Sequence, residues 1–393
     1  MEISEVKLSD VASVKGGKRL PKGINLISTP NSHPYIRVRD LNNKRTLELD
    51  SSYEFVDDET QQFISKYIVN HGDIVLSIVG TIGLVAIVGR TLNQANLTEN
   101  CVKITALSGI DRDFLYYFLK SSYGQQEISR DTVGAVQAKL PIKNIQNITI
   151  PLPDVHTQRR IAAMLSSLDE KIEINQKIND NLQQQAFALF DRLLMKADNS
   201  ECLVSEIAYL NPKRSLSKNK MARCIDMSQL STSGAFPSGW EMKPFTGGMR
   251  FTNGDTLLAR ITPCLENGKT AYIDFLDDEE IAFGSTEYIV LAPKEGVPPE
   301  FLYCLARYPA FVDYAVKNMN GSSGRQRVSA DTIGQFVVPH PSKCAMRNFG
   351  SIVSALFMKM KSNSLENLKL ASLRDALLPK LMSGEVDVSG IRL

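Results

Sequence analysis

The chain has 393 residues, which is too long for one ordinary hydrophobic core and suits two or three domains. Its hydrophobic content of 43% is that of a globular protein and excludes disorder as the default state. Because the formal net charge is only +2, composition alone neither requires nor excludes a nucleic-acid partner. The positions of the basic residues have to decide that question.

The six cysteines are scattered without a C-x-x-C pair, which argues against a disulfide framework or a zinc site. The first ten residues are mixed and charged, unlike a signal peptide. The most apolar stretch, Ile74–Val88, is interrupted by glycine and is too short to span a bilayer. We therefore predict a soluble, cytoplasmic protein.

Four segments recur in the same order in the two halves of the chain. Three are short: Leu8–Ala12 returns as Val204–Ala208, Gly72–Leu76 as Gly254–Leu258, and Asn144–Pro153 as Thr332–Pro341. The fourth is a long helical pattern after each Pro-x-Pro sequence, with an offset of 188 residues, as between Asn144 and Thr332. One short match arises by chance, but four in register indicate an internal duplication into halves of typical domain size.

Each half mixes predicted strands and helices in chain order. The apolar runs Asp73–Val79 and Glu287–Leu291 predict buried strands. The segments Asp113–Lys120 and Glu300–Arg307 predict short helices. The expected fold class is therefore α+β.

Each half is followed by a long helix with a heptad seam, and each seam has two asparagines at its middle. The first seam consists of Ile161, Leu165, Leu168, Ile172, Asn175, Asn179, Leu182, Ala186, Leu189 and Leu193. The second consists of Phe349, Val353, Leu356, Met360, Asn363, Asn367, Leu370, Leu377 and Leu381. Arg374 interrupts the second seam, and we expect its stem to lie along the seam with its charged head in water.

The order of the elements predicts how the helices pair. The first helix ends where the second globular half begins, so the second helix runs back along the first if the ends of each domain lie close together. The result is an antiparallel coiled-coil pair in a chain with pseudo-two-fold internal duplication, each helix being about 60 Å long. The asparagines then share one level, where they either fix the register at a cost in stability or face solvent on a loose seam.

The motifs around these helices resemble the specificity subunits of type I restriction–modification systems, over essentially the whole chain. The resemblance rests on Ile150–Ile161, Gly254–Ile261, Gly321–Val328 and Leu377–Glu385. The departures are His340 between the second pair of prolines and Ser342–Cys344 in place of an acidic stretch.

The resemblance implies two target-recognition domains, each reading one half of a split DNA sequence, and a helix pair that acts as a ruler. It also implies that two methylation subunits dock on the helices, that restriction subunits join this core, and that this chain supplies no catalytic residue. S-adenosylmethionine, ATP and Mg²⁺ would be bound by the partner subunits. The expected boundaries are 1–153 for the first recognition domain, 154–199 for the first spacer helix, 200–341 for the second domain, 342–382 for the second helix and 383–393 for a tail.

A DNA reader needs basic side chains for phosphates and groove contacts for sequence. Basic clusters recur after the start of both repeats: Lys15, Lys18, Arg19, Lys22, Arg37, Arg39, Lys44 and Arg45 in the first half, and Lys213, Arg214, Lys218, Lys220 and Arg223 in the second. A charge run is usually a solvated face, but recurrence at related places in a near-neutral chain favours DNA binding.

Candidate groove-reading residues are Arg325, Gln326 and Arg327 in a glycine-flanked loop, Gln137 and Lys139 at the aligned place in the first half, and Arg260 from the Gly254–Ile261 motif. The acidic runs Asp57–Glu59 and Asp277–Glu280 would repel phosphate and are expected to face away from it. Two unlike readers on one spacer predict an asymmetric bipartite site, whose centres lie roughly 10 bp, or 34 Å, apart if both domains read the same side of the duplex.

An enzyme is the first alternative, and its expected parts are missing. An adenine methyltransferase needs a [DNS]-P-P-[YF] motif, which Asn211–Lys213 fails to match. Gly268–Thr270 ends like a phosphate loop, but Pro263 occupies the leading glycine position, and the histidines lack the spacing of metal ligands. A nuclease built from dispersed carboxylates stays open.

The second alternative is a standalone bivalent DNA-binding regulator or architectural protein. The first helix carries more apolar residues than one helical partner covers: Ala162, Ala163, Met164, Ile174, Ile178, Phe187, Phe190 and Leu194. This surplus predicts further protein neighbours, either partner subunits or a second copy of the chain.

Overall fold

The computed structural model describes residues 4–41, 45–130, 132, 138–197, 200–322, 324–388 and 390. The chain divides into two compact units. Unit 1 comprises Met1–Glu170 and Ala371–Leu393, and unit 2 comprises Lys171–Leu370. Each unit therefore contains one globular half together with a segment of both long helices.

In unit 1, the first strand pairs with the last strand of the globular part to form a small two-stranded sheet. Its strands are β1 (Ser4–Lys7), β2 (Ser13–Gly16), β3 (Pro34–Ile36), β4 (Thr46–Leu47), β5 (Glu54–Phe55), β6 (Ile74–Ser77), β7 (Val85–Val88), β8 (Asn96–Leu97), β9 (Cys101–Thr105) and β10 (Thr149–Leu152). Its helices are α1 (Leu8–Val11), α2 (Asp58–Ile64), α3 (Arg112–Lys120), α4 (Ser122–Arg130), α5 (Ile142–Gln146) and the start of α6 (Val155–Met195).

Unit 2 follows the same plan. Its strands are β11 (Glu201–Leu203), β12 (Ala208–Leu210), β13 (Met221–Ile225), β14 (Glu241–Pro244), β15 (Met249–Phe251), β16 (Thr256–Ala259), β17 (Thr270–Tyr272), β18 (Ala282–Gly284), β19 (Tyr288–Pro293) and β20 (Val337–Pro339). Its helices are α7 (Val204–Ile207), α8 (Pro299–Ala306), α9 (Pro309–Lys317), α10 (Ala330–Gly334) and most of α11 (Lys343–Met382).

The strand pairings show that the duplication extends to the tertiary structure. The order β2-β9-β6-β7 in unit 1, extended by β4, corresponds to β12-β19-β16-β17 in unit 2. The antiparallel pair β1-β10 corresponds to β11-β20, and the parallel pair β3-β8 corresponds to β13-β18. The expected α+β class and internal duplication are confirmed, and the predicted strands and short helices lie within a few residues of their expected bounds.

The repeated Gly-Asp motif forms the turn that precedes the central strand of each large sheet. Gly72 and Gly254 have φ angles of 88° and 87°, which favour glycine because they place a side chain in the left-handed region. The following aspartate accepts a backbone N–H three residues earlier, that of Asn70 for Asp73 and that of Thr252 for Asp255, both at 2.8 Å. The motif thus recurs because the same tight turn starts a buried strand in both units.

The long helices pair in antiparallel fashion within each unit, as expected. In unit 2, Asn175 donates to Asn367 at 2.9 Å, while Asn363 donates to Asn179 at 2.8 Å. Increasing numbers on α6 therefore meet decreasing numbers on α11. The other predicted seam positions are buried or half-buried, so the heptad pattern lies on the inward face of each helix.

The expectation for Arg374 was wrong. In unit 1 its guanidinium donates to Asp169 at 2.6 Å, and only 22% of its side chain is exposed. The head is not in water because α6 supplies a carboxylate at this level of the pair. None of the described helices combines the length and apolarity that crossing a membrane requires.

Candidate nucleic-acid interface

The first basic cluster begins on β2 and continues into the loop that follows. Three of its lysines are exposed: Lys15, Lys18 and Lys22. The Lys18 Nζ also lies 5.5 Å from the centroid of the Tyr67 ring. Arg19 donates to Glu99 at 2.7 Å, but 80% of the Arg19 side chain is exposed, so the pair is weak in water. These four residues form a solvent-facing cationic surface on unit 1.

The arginines later in the first cluster are held by carboxylates. Arg37 and Arg39 both pair with Glu54, Arg39 at 2.8 Å, and Arg39 stays 54% exposed. Arg45 donates to Asp113 at 2.6 Å and is only 14% exposed. We correct the prediction that Arg45 contacts DNA, because its guanidinium is committed to the interior of unit 1.

The second basic cluster divides in the same way. Three lysines are exposed: Lys213, Lys218 and Lys220. Arg214 is 16% exposed and donates to the buried carboxylate of Asp255 at 2.8 Å. Burial raises the pKa of Asp255 to about 6, although the hydrogen bonds from Thr252 and Arg214 favour its charged form. Arg214 is therefore also a structural residue and not a free DNA-contacting side chain.

The acidic run Asp277–Glu280 lies beside the second basic cluster. Arg223 donates to Asp277 at 3.1 Å and pairs with Glu280, and its guanidinium lies over the Trp240 ring. Glu279 and Glu280 also line the same surface cavity as Lys220. Counting charges along the sequence thus overstated the positive potential around Arg223 and Lys220, because carboxylates lie beside both.

The first acidic run serves the local fold. Asp57 caps helix α2, its carboxylate accepting the backbone N–H of Thr60 at 2.7 Å. Asp58 pairs with His33 at 2.9 Å. An acidic start to a short helix is a common structural use of such a run, because carboxylates favour the positive end of the helix dipole.

The candidate groove-reading loops occupy equivalent places in the two units. Lys139 forms a β-bridge with Val79, and Arg327 forms one with Ile261. Val79 lies shortly after β6 and Ile261 lies shortly after β16, the central strands of the two large sheets. The sequence alignment of Lys139 with Arg327 is therefore confirmed. Two candidates lie outside the described residues: Lys44 and Gln137.

In unit 2 this loop forms a structured arginine site. Arg327 donates three hydrogen bonds to Glu287, at 2.7 to 3.1 Å, and these bonds hold the pKa of Glu287 below its usual value. Arg260 also acts on Glu287 through its charge, and its buried Nε has no hydrogen-bond partner among the residues described here. Arg325 is exposed, and Gln326 is half-buried. The loop therefore offers oriented donors of the type that read guanine edges.

Comparison with known proteins shows what the chain is similar to. Residues 2–184 match the family model described as the type I restriction modification DNA specificity domain. The chain is 22% identical to the MjaIX specificity subunit of Methanocaldococcus jannaschii, over 97% of this chain and 93% of that protein. It is 24% identical to the HindI specificity subunit of Haemophilus influenzae, over 76% of this chain and 84% of that one. The crystal structure of a type I S subunit from M. genitalium has the same fold, with a TM-score of 0.56 at 21% identity over 97% and 96% of the two chains.

The chain is thus similar to type I restriction specificity subunits over nearly its whole length. This similarity agrees with the function expected from its motifs, that of a DNA-recognising, non-catalytic member of a restriction–modification complex. Among the described residues no group of three or more His, Cys, Asp or Glu side chains is placed to hold a metal ion.

The apolar surplus on the long helices is covered only in part by the rest of the chain. Ala162, Phe190 and Leu194 are buried within their own units, because the globular halves pack on the helices. Ile174 is 51% exposed and Ile178 is 37% exposed. They line a surface groove with three further residues of α6: Lys177, Asn181 and Leu182. We therefore expect a further protein neighbour of α6 to contact the face that carries Ile174 and Ile178.

Sequence reasoning missed the carboxylates that hold the arginines of the candidate recognition surface. Glu287 was included only as the start of a predicted strand, yet it orients Arg327. The available signal was a charged residue at the edge of an otherwise apolar run. Glu54, which gathers two arginines, carries no comparable signal, because its partners lie more than a dozen residues away along the chain.

Proposed function

We propose that this specificity subunit directs adenine methylation, and the restriction of unmethylated DNA, to an asymmetric bipartite sequence with one half-site read in each unit. The observation that carries the proposal is the repetition of one fold with unlike residues at equivalent loop positions. Lys139 in unit 1 and Arg327 in unit 2 form the same β-bridge with their sheets. One recognition scaffold with different side chains is what two different half-sites require.

The exposed lysines supply the sequence-independent part of binding. Lys15, Lys18 and Lys22 in unit 1, and Lys213 and Lys218 in unit 2, are exposed and can neutralise phosphates. Arg260, Arg325, Gln326 and Arg327 then form the base-reading set of unit 2. Glu287 holds Arg327 in one orientation before DNA arrives, which lowers the entropy lost on binding.

The exposed apolar face of α6 supports the docking of methylation subunits. Ile174 and Ile178 are large, exposed and adjacent on one helix face, an arrangement that favours burial by a protein partner. In this proposal two methylation subunits bind the helices and hold S-adenosylmethionine. Restriction subunits join them and use ATP and Mg²⁺. This chain contributes sequence recognition and no reacting group.

Co-expression with the cognate methylation subunit and mapping of methylated adenines on random DNA tests the function directly. The expected result is an asymmetric consensus of two short parts with a fixed gap. Methylation without a consensus, or failure to form a stable complex, contradicts the proposal and favours a self-sufficient DNA-binding protein.

Domain exchange tests the division of labour. Replacement of residues 1–153 by the corresponding domain of another specificity subunit is expected to change one half-site and to leave the other half and the gap unchanged. A change in both halves contradicts the modular assignment. Insertion of whole helical turns into α6 and α11 is expected to lengthen the gap alone, and an unchanged gap contradicts the ruler role.

A further inference from the structure

Unit 1 contains a buried charged cluster where α6, α11 and α3 meet. Asp169 on α6 is 7% exposed, and both of its carboxylate oxygens are occupied. Arg374 on α11 donates to Oδ1 at 2.6 Å, and Tyr117 on α3 donates to Oδ2 at 2.7 Å. Asp169 is therefore shielded from water and fully hydrogen-bonded, so the loss of Arg374 leaves a buried carboxylate without its ion-pair partner. Arg374, which is 22% exposed, also donates to the neighbouring Asp375 at 2.7 Å.

The equivalent level in unit 2 is apolar. With the offset of 188 residues, Phe357 corresponds to Asp169, and Ala186 corresponds to Arg374. Alignment of Phe114–Tyr117 with Phe301–Cys304 makes Cys304 the counterpart of Tyr117. All three counterparts are no more than 1% exposed and lie in one hydrophobic cluster. The two units therefore keep the same helix pairing. At this level the contact is ionic in unit 1 and apolar in unit 2.

The asparagine layer does not distinguish between possible helix partners. Asn175 meets Asn367, and Asn179 meets Asn363. Because the offset relates Asn175 to Asn363 and Asn179 to Asn367, a second copy of α6 offers asparagines at the same two places. The polar layer thus fixes register equally well in an α6–α11 pair and in an antiparallel pair of two α6 helices.

The charged level does distinguish between them. In an antiparallel pair of two α6 helices, Asp169 faces Ala186 of the other copy, in place of Arg374. In a pair of two α11 helices, Arg374 faces Phe357. An α6 self-pair therefore buries an aspartate of each copy against alanine, and an α11 self-pair places an arginine of each copy against phenylalanine with only its neighbour Asp375 as a counter-ion. The α6–α11 pair sets the two opposite charges against each other.

We propose that the Asp169–Arg374 pair is the determinant that directs α6 to α11 of the same chain and excludes a second copy of α6. The partner choice matters because a self-paired assembly would combine two copies of the same globular half on one helix pair. The ionic level ensures that every helix pair carries two different halves. This inference stands independently of which DNA is recognised.

The test uses full-length chains carrying two different tags, co-expressed, with one tag captured and the other quantified. Asp169→Arg places two arginines opposite each other within the chain, while in an α6 self-pair the new arginine faces only alanine. We expect the wild type to be monomeric by light scattering and the captured fraction of D169R to be at least about tenfold higher. The double variant D169R/R374D is expected to return to the wild-type value, because the pair is restored with its charges exchanged.

Lys171 and Glu366 provide the matched control. They form an ion pair between the same two helices at 3.6 Å, but their side chains are 48% and 45% exposed. Lys171→Glu makes the same kind of reversal in water, and we expect a captured fraction equal to that of the wild type. A captured fraction for D169R that equals that of K171E, or a double variant that stays cross-captured, overturns the proposal.

A second variant keeps the test decisive if D169R does not fold. The triple variant Y117C/D169F/R374A copies the residues of unit 2 into unit 1 and removes the ion pair between α6 and α11. Since covalent connection still favours pairing within the chain, the captured fraction on co-expression is the quantity to compare. A value at least about tenfold above that of the wild type is expected, and a value equal to that of the wild type contradicts the assignment. Cross-capture of wild-type chains contradicts it as well.

Discussion

Arg214 donates a 2.8 Å hydrogen bond to Asp255, a residue that is 1% exposed and that also accepts the backbone N–H of Thr252. The equivalent aspartate of unit 1, Asp73, forms the same turn and has Lys103 Nζ at 4.0 Å. The repeated Gly-Asp motif thus buries a carboxylate beside a cation in both units. A residue that looked like a phosphate contact in the sequence is required to hold a strand-initiating turn.

Arg214→Ala is expected to lower the free energy of unfolding of unit 2 by about 3–5 kcal/mol, since it leaves Asp255 buried without its partner. The neighbouring variant Lys213→Ala removes an exposed side chain and is expected to change stability by less than about 0.5 kcal/mol. Urea unfolding followed by circular dichroism measures both. Equal midpoints for the two variants would show that the Arg214 contact is unimportant.

The stability contributed by Asp255 is expected to increase as the pH falls. Its pKa in the folded protein is about 6, above the ordinary value of 3.8, because burial disfavours the charged form. The folded state therefore holds the proton more tightly, and this contribution grows between about pH 6 and pH 4 and is lost as the pH rises through 6. The full effect is about 3 kcal/mol.

The measurement for Asp255 is the difference in unfolding free energy between the wild type and Asp255→Asn at several pH values. The unfolding free energy of the wild type is expected to increase relative to that of Asp255→Asn as the pH is lowered from 7 to 4. Asp278→Asn, on the exposed acidic run, controls for the change in net charge. A difference that is constant across this range, or that has the opposite slope, contradicts the prediction.

Removal of exposed lysines should weaken DNA binding and its dependence on salt. In the assembled complex, Lys213→Ala/Lys218→Ala is expected to reduce the slope of log affinity against log salt by about 0.9 for each lysine that neutralises a phosphate. Lys317→Ala is the control, because Lys317 is exposed on α9 but lies outside both basic clusters. An unchanged slope for the double variant would show that other residues of unit 2 contact the phosphates.

Arg327→Lys should alter one half-site and spare the other. Lysine keeps the charge but loses the planar fork that Glu287 orients, so discrimination at one base pair of the unit 2 half-site is expected to fall by about 1–3 kcal/mol. Methylation mapping of the co-expressed complex detects this as a relaxed position. A relaxed position in both half-sites, or a uniform loss of methylation, would contradict a base-reading role.

The asparagine layer should show strong coupling between its members. Asn179→Leu alone removes the acceptor for the Asn363 side-chain amide and is expected to cost about 1–3 kcal/mol. The double variant Asn179→Leu/Asn363→Leu is expected to recover most of this loss, because two facing leucines form an ordinary apolar seam level. Unfolding of the single and double variants completes the cycle. Additive losses would show that these two side chains act independently.

Much of the fold was predictable because the relevant patterns are local or periodic. The heptad seam, its asparagine pairs and the offset of 188 residues together predicted two long helices that pair in antiparallel fashion, as the Asn175–Asn367 contact shows. Burial of the seam follows from the 3.5-residue repeat, which places every seam residue on one face. The alignment of Lys139 with Arg327 was likewise predictable, since their motifs keep the same distance from the repeated Pro-x-Pro segment.

Spacing along the chain was enough to predict the duplication and the heptad seam. Which cations are available to DNA is set by tertiary packing. Arg45, Arg214 and Arg223 are neutralised by carboxylates that lie 41 to 68 residues away, and the pairing of Asp169 with Arg374 spans 205 residues. A run of basic residues carries no information about such partners, because an ion pair depends on distance in space and burial, and both are set by the packing of the whole unit.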